Sequence, residues 1–388
     1  MKKIINLLLI LVTIFAFGLK KTFATELELV SDAKSAILLE VSTGTVIYSK
    51  NKELKSAPAS MTKIMTMLLV LEAIDNNIIT FDTILTTSDF ASSMGGSQIY
   101  LEVGEQMSVE DLFKSMCIAS ANDASVVLAE AVGGSYQNFI QMMNERAKEL
   151  GMNNTLFKNC NGLPEEGHES TCEDIGILSR YIVRKYQEKI LKYTSIYEDY
   201  IRTDTDNKFW LVNTNKLVKY VDGLKGLKTG YCGDDSGYCL SALLERNGVQ
   251  YLAVVMGSSS SKMRNYEVVN MLNYAYSNYE LMSVYKKDDV VETIFSRNIN
   301  PNTIHIVVSE DVNILKKKSE KIDKIETKVK LDIKDWDYES IKDSSIGILD
   351  LIVDGKTVGS FQLKVSENIK KESFINMFLN VIKDIFLV

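Results

Sequence analysis

Ser60 and Lys63 stand three residues apart at the head of an apolar run, "PASMTKIMTMLLVLEAI". On a helix that spacing places both side chains on one face, within reach of a hydrogen bond. A lysine kept neutral by burial and by a second cation can take the serine proton, and the hydroxyl then becomes a nucleophile for acyl transfer. The helix N-terminus adds a backbone N–H beside Ser60, suited to the oxyanion of the tetrahedral intermediate. The spacing alone is weak evidence, because it recurs at Ser31/Lys34, Ser49/Lys52, Ser259/Lys262 and Ser283/Lys286. The bland reading is the polar start of a buried helix.

Two later motifs raise Ser60 above the other matches. "IASANDAS" carries Ser120-Ala121-Asn122 at a loop-to-helix junction, and "GLKTGYC" carries Lys228-Thr229-Gly230 on an expected strand. Each has a structural reading as well: Ser120 as a helix N-cap, and Gly230 as a bulge glycine at a strand end. In a functional reading Lys228 supplies positive charge for a carboxylate and Gly230 lets backbone approach the substrate. Ser-x-x-Lys, Ser-x-Asn and Lys-Thr-Gly in that order match the signature of active-site-serine penicillin-recognising enzymes.

The elements that must hold these residues can be read from periodicity. "SAILLEVSTGTVIYSKN" predicts two strands turning at Ser42-Thr43-Gly44. Ile64, Met65, Leu68, Leu69 and Leu71 recur at helical spacing and predict a helix from Ser60 to about Ile74. Further helices are expected over 108–118, 124–131, 136–150, 172–186 and 265–279. Strands return in "GLKGLKTGYC" and in "GYCLSALLERNGVQYLAVVMG", whose Asn247-Gly248 is a hairpin turn. Strands, a helical middle, then strands and a helix predict one sheet whose strands come from both ends of the domain. After about Met282 the pattern changes to short alternating runs with a turn at Asp354-Gly355, which predicts a separate small β domain.

Composition bounds the function class. The chain has 388 residues, a near-half apolar content and a formal charge of -7. Lys2 and Lys3, the uncharged run Ile4 to Leu19, and Thr22-Phe23-Ala24 read as an export signal, with an uncleaved N-terminal anchor as the alternative. Cleavage after Ala24 removes four lysines and no acid, so -7 becomes -11. So acidic a body argues against a nucleic-acid partner. Five cysteines, Cys117, Cys160, Cys172, Cys232 and Cys239, are too few and uneven for a disulfide framework.

Rival chemistries find little support. The chain lacks Gly-x-Ser-x-Gly and His-Glu-x-x-His, and its histidines are His168 and His305 alone, which disfavours a serine–histidine triad. Cys160, His168 and Cys172 match no zinc spacing. Glu165 and Glu166 fall in a Pro-Glu-Glu-Gly turn and read as solvated.

On these residues the chain resembles the low-molecular-mass penicillin-binding proteins, the serine-type D-alanyl-D-alanine carboxypeptidases of bacterial walls. "PASMTKIMT", "GSQIYLEVGE", "SANDAS", "FIQMMNERAKELGMNNTLFKN", "NGLPEEGH" and "LKTGY" carry the likeness across nearly the whole mature chain. The resemblance implies an α+β (α/β) penicillin-binding, β-lactamase-like transpeptidase domain over 25–282, with an antiparallel sheet against a helical cluster. A small all-β domain over 283–368 and an amphipathic membrane-anchoring helix over 369–388 follow. It implies Ser60 as the acylated nucleophile, Lys63 as its proton acceptor and Ser120 as a proton relay to the leaving group. Asn122 would hold the substrate backbone, and Lys228 with Thr229 the terminal carboxylate. The N–H groups of Ser60 and Tyr231, beside Gly230, would form the oxyanion hole. The implied partners are stem peptides ending in D-Ala-D-Ala, β-lactams as covalent inhibitors, and the outer surface of the cytoplasmic membrane. No metal or cofactor is needed.

The sequence departs from that family at His168-Glu169-Ser170, where relatives often read His-Tyr-Ser, and at Cys232, where threonine is common. Two other readings share the motifs. A class A β-lactamase uses a glutamate-held water and prefers aspartate where this chain has Ala121, and a β-lactam-sensing or wall-binding module would acylate with little turnover.

Overall fold

The computed structural model describes residues 27–203, 206–295, 299–332 and 345–373, with positions 375, 377, 378 and 382. The expected export signal, and most of the expected tail helix, lie outside these residues.

Five antiparallel strands form the central sheet, in the order Val46–Lys50, Ser35–Glu40, Val249–Ser258, Tyr238–Arg246, Leu224–Tyr231. Both chain ends of the domain contribute strands, as the sequence predicts. The Asn247-Gly248 hairpin forms with φ of 51° and 74°, left-handed values that favour Asn-Gly in a tight turn. Strand residues alternate between two cores. Ile37, Leu39, Leu252, Val254 and Met256 face the helical cluster, while Ala36, Leu38, Tyr251, Ala253 and Val255 face the helix Ser261–Asn278. Burial on both faces explains why these strands read as nearly continuous apolar runs.

The helical side holds Lys63–Asp75, Val109–Ile118, Asn122–Gly133, Tyr136–Glu149 and Cys172–Thr194. Lys63–Asp75 is buried almost all round, from Ile64 to Leu71, so it runs through the middle of the domain. Cys172–Thr194 outlasts its expected end at 186. The backbone kinks at Tyr186, and Ile190 and Tyr193 then bury a further turn.

The second part has its own core around Ile304, Ile306, Leu349, Leu351 and Leu363. Its sheet runs Val290–Phe295, Thr303–Val308, Lys356–Val365, Gly347–Val353, Ile325–Leu331. Ile369 is buried in that core, and Lys370–Lys371 pairs with Ile299–Asn300. Ile369 and the Lys370–Lys371 strand therefore pack with the β-rich part. The five cysteines are free thiols.

Candidate active site

Ser60 lies in a short 3-10 turn, Ala59–Thr62, and Lys63 is the first residue of the long buried helix. Ala59 is held at φ +48°, and the loop at Gly162 packs closely against it. A Cβ on Gly162 would lie 1.9 Å from the Ala59 carbonyl oxygen, so only glycine, itself at φ +84°, fits there.

Lys63 is fully buried, and its Nζ sits 3.1 Å from Ser60 Oγ. It donates to Asn122 Oδ1 at 2.6 Å and to the Asn161 carbonyl at 2.5 Å. In the neutral amine those two bonds use both N–H groups, and the lone pair is left for the Ser60 hydroxyl. Burial holds the Lys63 ammonium down to about 7, with Asp123 among the groups pulling the other way. The site thus contains an amine poised to accept a proton near neutral pH.

Asn122 opens the helix Asn122–Gly133 and is buried. Its Nδ2 donates to the Gly95 carbonyl and its backbone N–H to the Ser97 carbonyl, both at 2.7 Å. Ser120 lies just before, held at φ +64° and almost fully buried, on the wall of the same cleft as Ser60. It does not cap the helix, since that cap position is Ala121 and takes no side-chain bond.

Lys228-Thr229-Gly230 runs along the edge strand. A Cβ at Gly230 would come within 2.9 Å of the Pro58 carbonyl, which brings this strand directly against the Ser60 turn. Lys228 is buried, donates to the Thr229 carbonyl at 3.1 Å, and is held well below its ordinary pKa by burial first and Lys63 second. Thr229 Oγ1 donates to Thr214 Oγ1 at 2.7 Å. Tyr231 is half exposed and stacks on Tyr238, ring centroids 4.3 Å apart.

These residues surround a cleft of about 350 Å³ whose lining includes Ser60, Ser120, Thr229, Gly230, Tyr231 and Arg264. Arg264 is absent from the sequence reading. It comes from the first turn of Ser261–Asn278 and is nearly buried, its guanidinium bonded to Asn265 Oδ1. Burial draws its pKa down to about 10, which leaves it cationic at neutral pH. Arg264 therefore places a cation on the cleft lining, which Lys228 does not reach. No motif spacing marks Arg264, because tertiary packing alone brings it to the site.

Asn161 was also missed, since it contributes a backbone carbonyl. The loop behind it is held by Gly162 N–H to Asn159 Oδ1 at 2.7 Å and by the Cys232 thiol to the Gly162 carbonyl at 3.1 Å. Glu165 and Glu166 are exposed. Glu165 accepts from Asn159 Nδ2 at 3.1 Å.

His168 is structural. Its Nδ1 accepts from Lys158 N–H at 3.0 Å, so Nε2 carries the proton and donates to Thr62 Oγ1 at 2.7 Å. Burial lowers its pKa from 6.5 to about 4. A histidine whose folded value is depressed contributes stability that is whole above its unfolded value and is lost as pH falls from 6.5 toward 4. Denaturant unfolding should therefore show a loss of about 2 kcal/mol from this group between pH 7.5 and 5, absent in His168→Gln. Equal losses in both proteins would contradict the assignment.

A serine, a buried lysine, Ser-x-Asn and Lys-Thr-Gly around one cleft define an active-site-serine enzyme of the penicillin-recognising class. The chain belongs to the D-alanyl-D-alanine carboxypeptidase family, peptidase S11, whose family profile matches residues 21–260. Residues 279–371 match the C-terminal domain of penicillin-binding protein 5. The chain is 43% identical over 390 residues to D-alanyl-D-alanine carboxypeptidase DacF of Bacillus subtilis, covering 99% of each. Penicillin-binding protein 5 of Haemophilus influenzae is similar in structure, with TM-score 0.71 and 25% identity over 88% of this chain and 98% of that one. Penicillin-binding protein D2 of Listeria monocytogenes, solved in an ampicillin-bound form, shares 31% identity at TM-score 0.56 over 63% of this chain and 97% of that one.

Proposed function

We propose that this chain removes the terminal D-alanine from peptidoglycan stem peptides through an acyl-enzyme on Ser60, and that β-lactams acylate the same serine. The observation that carries the reading is the buried Lys63 amine 3.1 Å from Ser60 Oγ at the cleft. Ser60 Oγ attacks the carbonyl of the penultimate D-alanine as its proton passes to Lys63 Nζ. The N–H groups of Ser60 and Tyr231 receive the oxyanion, and Asn122 holds the substrate backbone. Ser120 relays the proton held by Lys63 to the departing amine as the C–N bond breaks, and water then adds to the ester, one of its protons returning to Ser60 Oγ with Lys63 left as the neutral amine. In a β-lactam the amine leaving group stays tethered after the ring opens.

Arg264, cationic at neutral pH, and Thr229, beside Lys228 on its strand, read the free C-terminal carboxylate. Steady-state hydrolysis of a D-Ala-D-Ala peptide as free acid and as C-terminal amide tests both activity and recognition. The wild type should prefer the acid. Arg264→Gln should lower kcat/KM for the acid by roughly tenfold or more and leave the amide nearly unchanged, since only the acid loses an ion pair. Equal losses on both would remove the role, and absence of turnover would favour the sensing reading.

The chain acts outside the cytoplasmic membrane, exported by the segment that ends near Ala24 and held at the membrane surface by its C-terminal residues. In "ESFINMFLNVIKDIFLV" apolar residues cover most of a helix while Asn376, Asn380, Lys383 and Asp384 form one polar stripe. Ile375 and Phe378 are helical and well exposed, which supports this reading. Because Ile369 is buried in the β core and Lys370–Lys371 pairs with Ile299–Asn300, a truncation must follow Ser373. The mature protein should pellet with liposomes with little dependence on salt, and a chain ending at Ser373 should stay in the supernatant with full activity. Membrane binding by the shortened chain would refute the anchor.

A further inference from the structure

Tyr100 is held in a conformation that its own chemistry disfavours. It lies at φ +57°, a left-handed value uncommon for an aromatic residue, and it is 68% exposed. Its neighbours fix it there. Asp123 Oδ2 accepts from the N–H of Ile99 and of Leu101, each at 3.1 Å, so the chain must fold outward at the residue between them. Arg202 closes the clamp from the other side, donating to the Ile99 carbonyl at 2.9 Å and pairing with Glu105 at 2.7 Å. Strain held by surrounding bonds, on a large apolar ring left in water, points to a contact made with something outside the chain.

Tyr100 borders a groove of about 940 Å³, whose lining includes Ile84, Glu102, Val103, Gln106 and Phe209. The Phe209 ring stands edge-on to Tyr100, centroids 6.1 Å apart, and steadies it. Ser97 lines the cleft and Tyr100 the groove, three residues further along the same segment. Three residue steps span at most about 11 Å. A flat exposed ring beside Val103 and Phe209, in a groove whose lining is largely polar and includes Glu102 and Gln106 as hydrogen-bonding groups, suits the apolar face of a pyranose with its hydroxyl and acetamido groups.

We propose that this groove binds the N-acetylhexosamine glycan to which the stem peptide is attached, with Tyr100 as the stacking platform. The proposal rests on the carboxypeptidase reading for the identity of its ligand. It makes Tyr100 a determinant of preference for glycan-linked over free stem peptide.

The test uses the mature full chain and a peptide-free tetrasaccharide of alternating N-acetylglucosamine and N-acetylmuramic acid, titrated by ligand-observed NMR. Wild type should bind it. Tyr100→Gly, which removes the ring and suits the left-handed backbone, should weaken binding roughly three- to tenfold, and Tyr100→Trp should retain it. In parallel, Tyr100→Gly should lower kcat/KM on glycan-linked pentapeptide by a similar factor and leave the free pentapeptide unchanged. No binding by wild type, equal binding by Tyr100→Gly, or equal kinetic loss on both peptides would overturn the proposal. Should wild type hydrolyse neither peptide while binding still depends on Tyr100, the carboxypeptidase reading fails and the glycan site stands.

Discussion

Lys63→Arg is expected to cost about a thousandfold or more in acylation while the protein stays folded. The position demands an amine that gives up its proton near neutral pH, and burial provides that by holding Lys63 at about 7. A guanidinium stays protonated at any accessible pH, and general-base catalysis is worth about 10²- to 10⁴-fold. It is also too broad for a pocket already closed by Asn122 Oδ1 and the Asn161 carbonyl. The sign of the pH dependence follows from the same geometry. The base is the neutral amine, so the wild-type acylation rate should rise with pH through about 7 and fall about tenfold per unit below it. Stopped-flow acylation by a chromogenic β-lactam between pH 5 and 9 reads both effects. An active arginine variant, or a rate that falls as pH rises through 7, would show that Lys63 is not the proton acceptor.

Ser60→Ala should abolish turnover of D-Ala-D-Ala peptides altogether, because no hydroxyl in the cleft can replace the one that Lys63 touches. The fold should tolerate the change. Ser60 is partly exposed and its side chain makes one bond, to Lys63, so the cost is about 1 kcal/mol. The variant should still bind substrate, since the carboxylate and backbone contacts lie on other elements. A Ser60→Ala protein with measurable hydrolysis, and a thermal midpoint like that of the wild type, would place the nucleophile elsewhere.

Much of the site was legible because its chemistry is written in side chains at fixed spacing. Ser60 and Lys63 share a helix start, and Lys228 to Tyr231 share a strand. Asn247-Gly248 marks its hairpin because Asn-Gly tolerates two consecutive left-handed φ values. The parts that were missed depend on contacts between distant segments. Asn161 reaches Lys63 across 98 residues through a carbonyl that every residue type possesses. Arg264 enters the cleft because its helix packs on the far face of the sheet, which no local pattern encodes. Lys370–Lys371, which pairs with Ile299–Asn300, is a strand of two residues and too short to read from periodicity. Short ribbons such as Glu198–Ile201 with Phe209–Val212 escaped for the same reason.

The central claim is an acyl-enzyme on Ser60, and intact mass spectrometry after brief exposure to benzylpenicillin tests it most directly. The mature protein should gain the mass of one intact penicillin, and peptide mapping should place it on the fragment that holds Ser60. Ser60→Ala should gain nothing under the same conditions. An adduct on any other residue, or an adduct that persists in Ser60→Ala, would contradict the account.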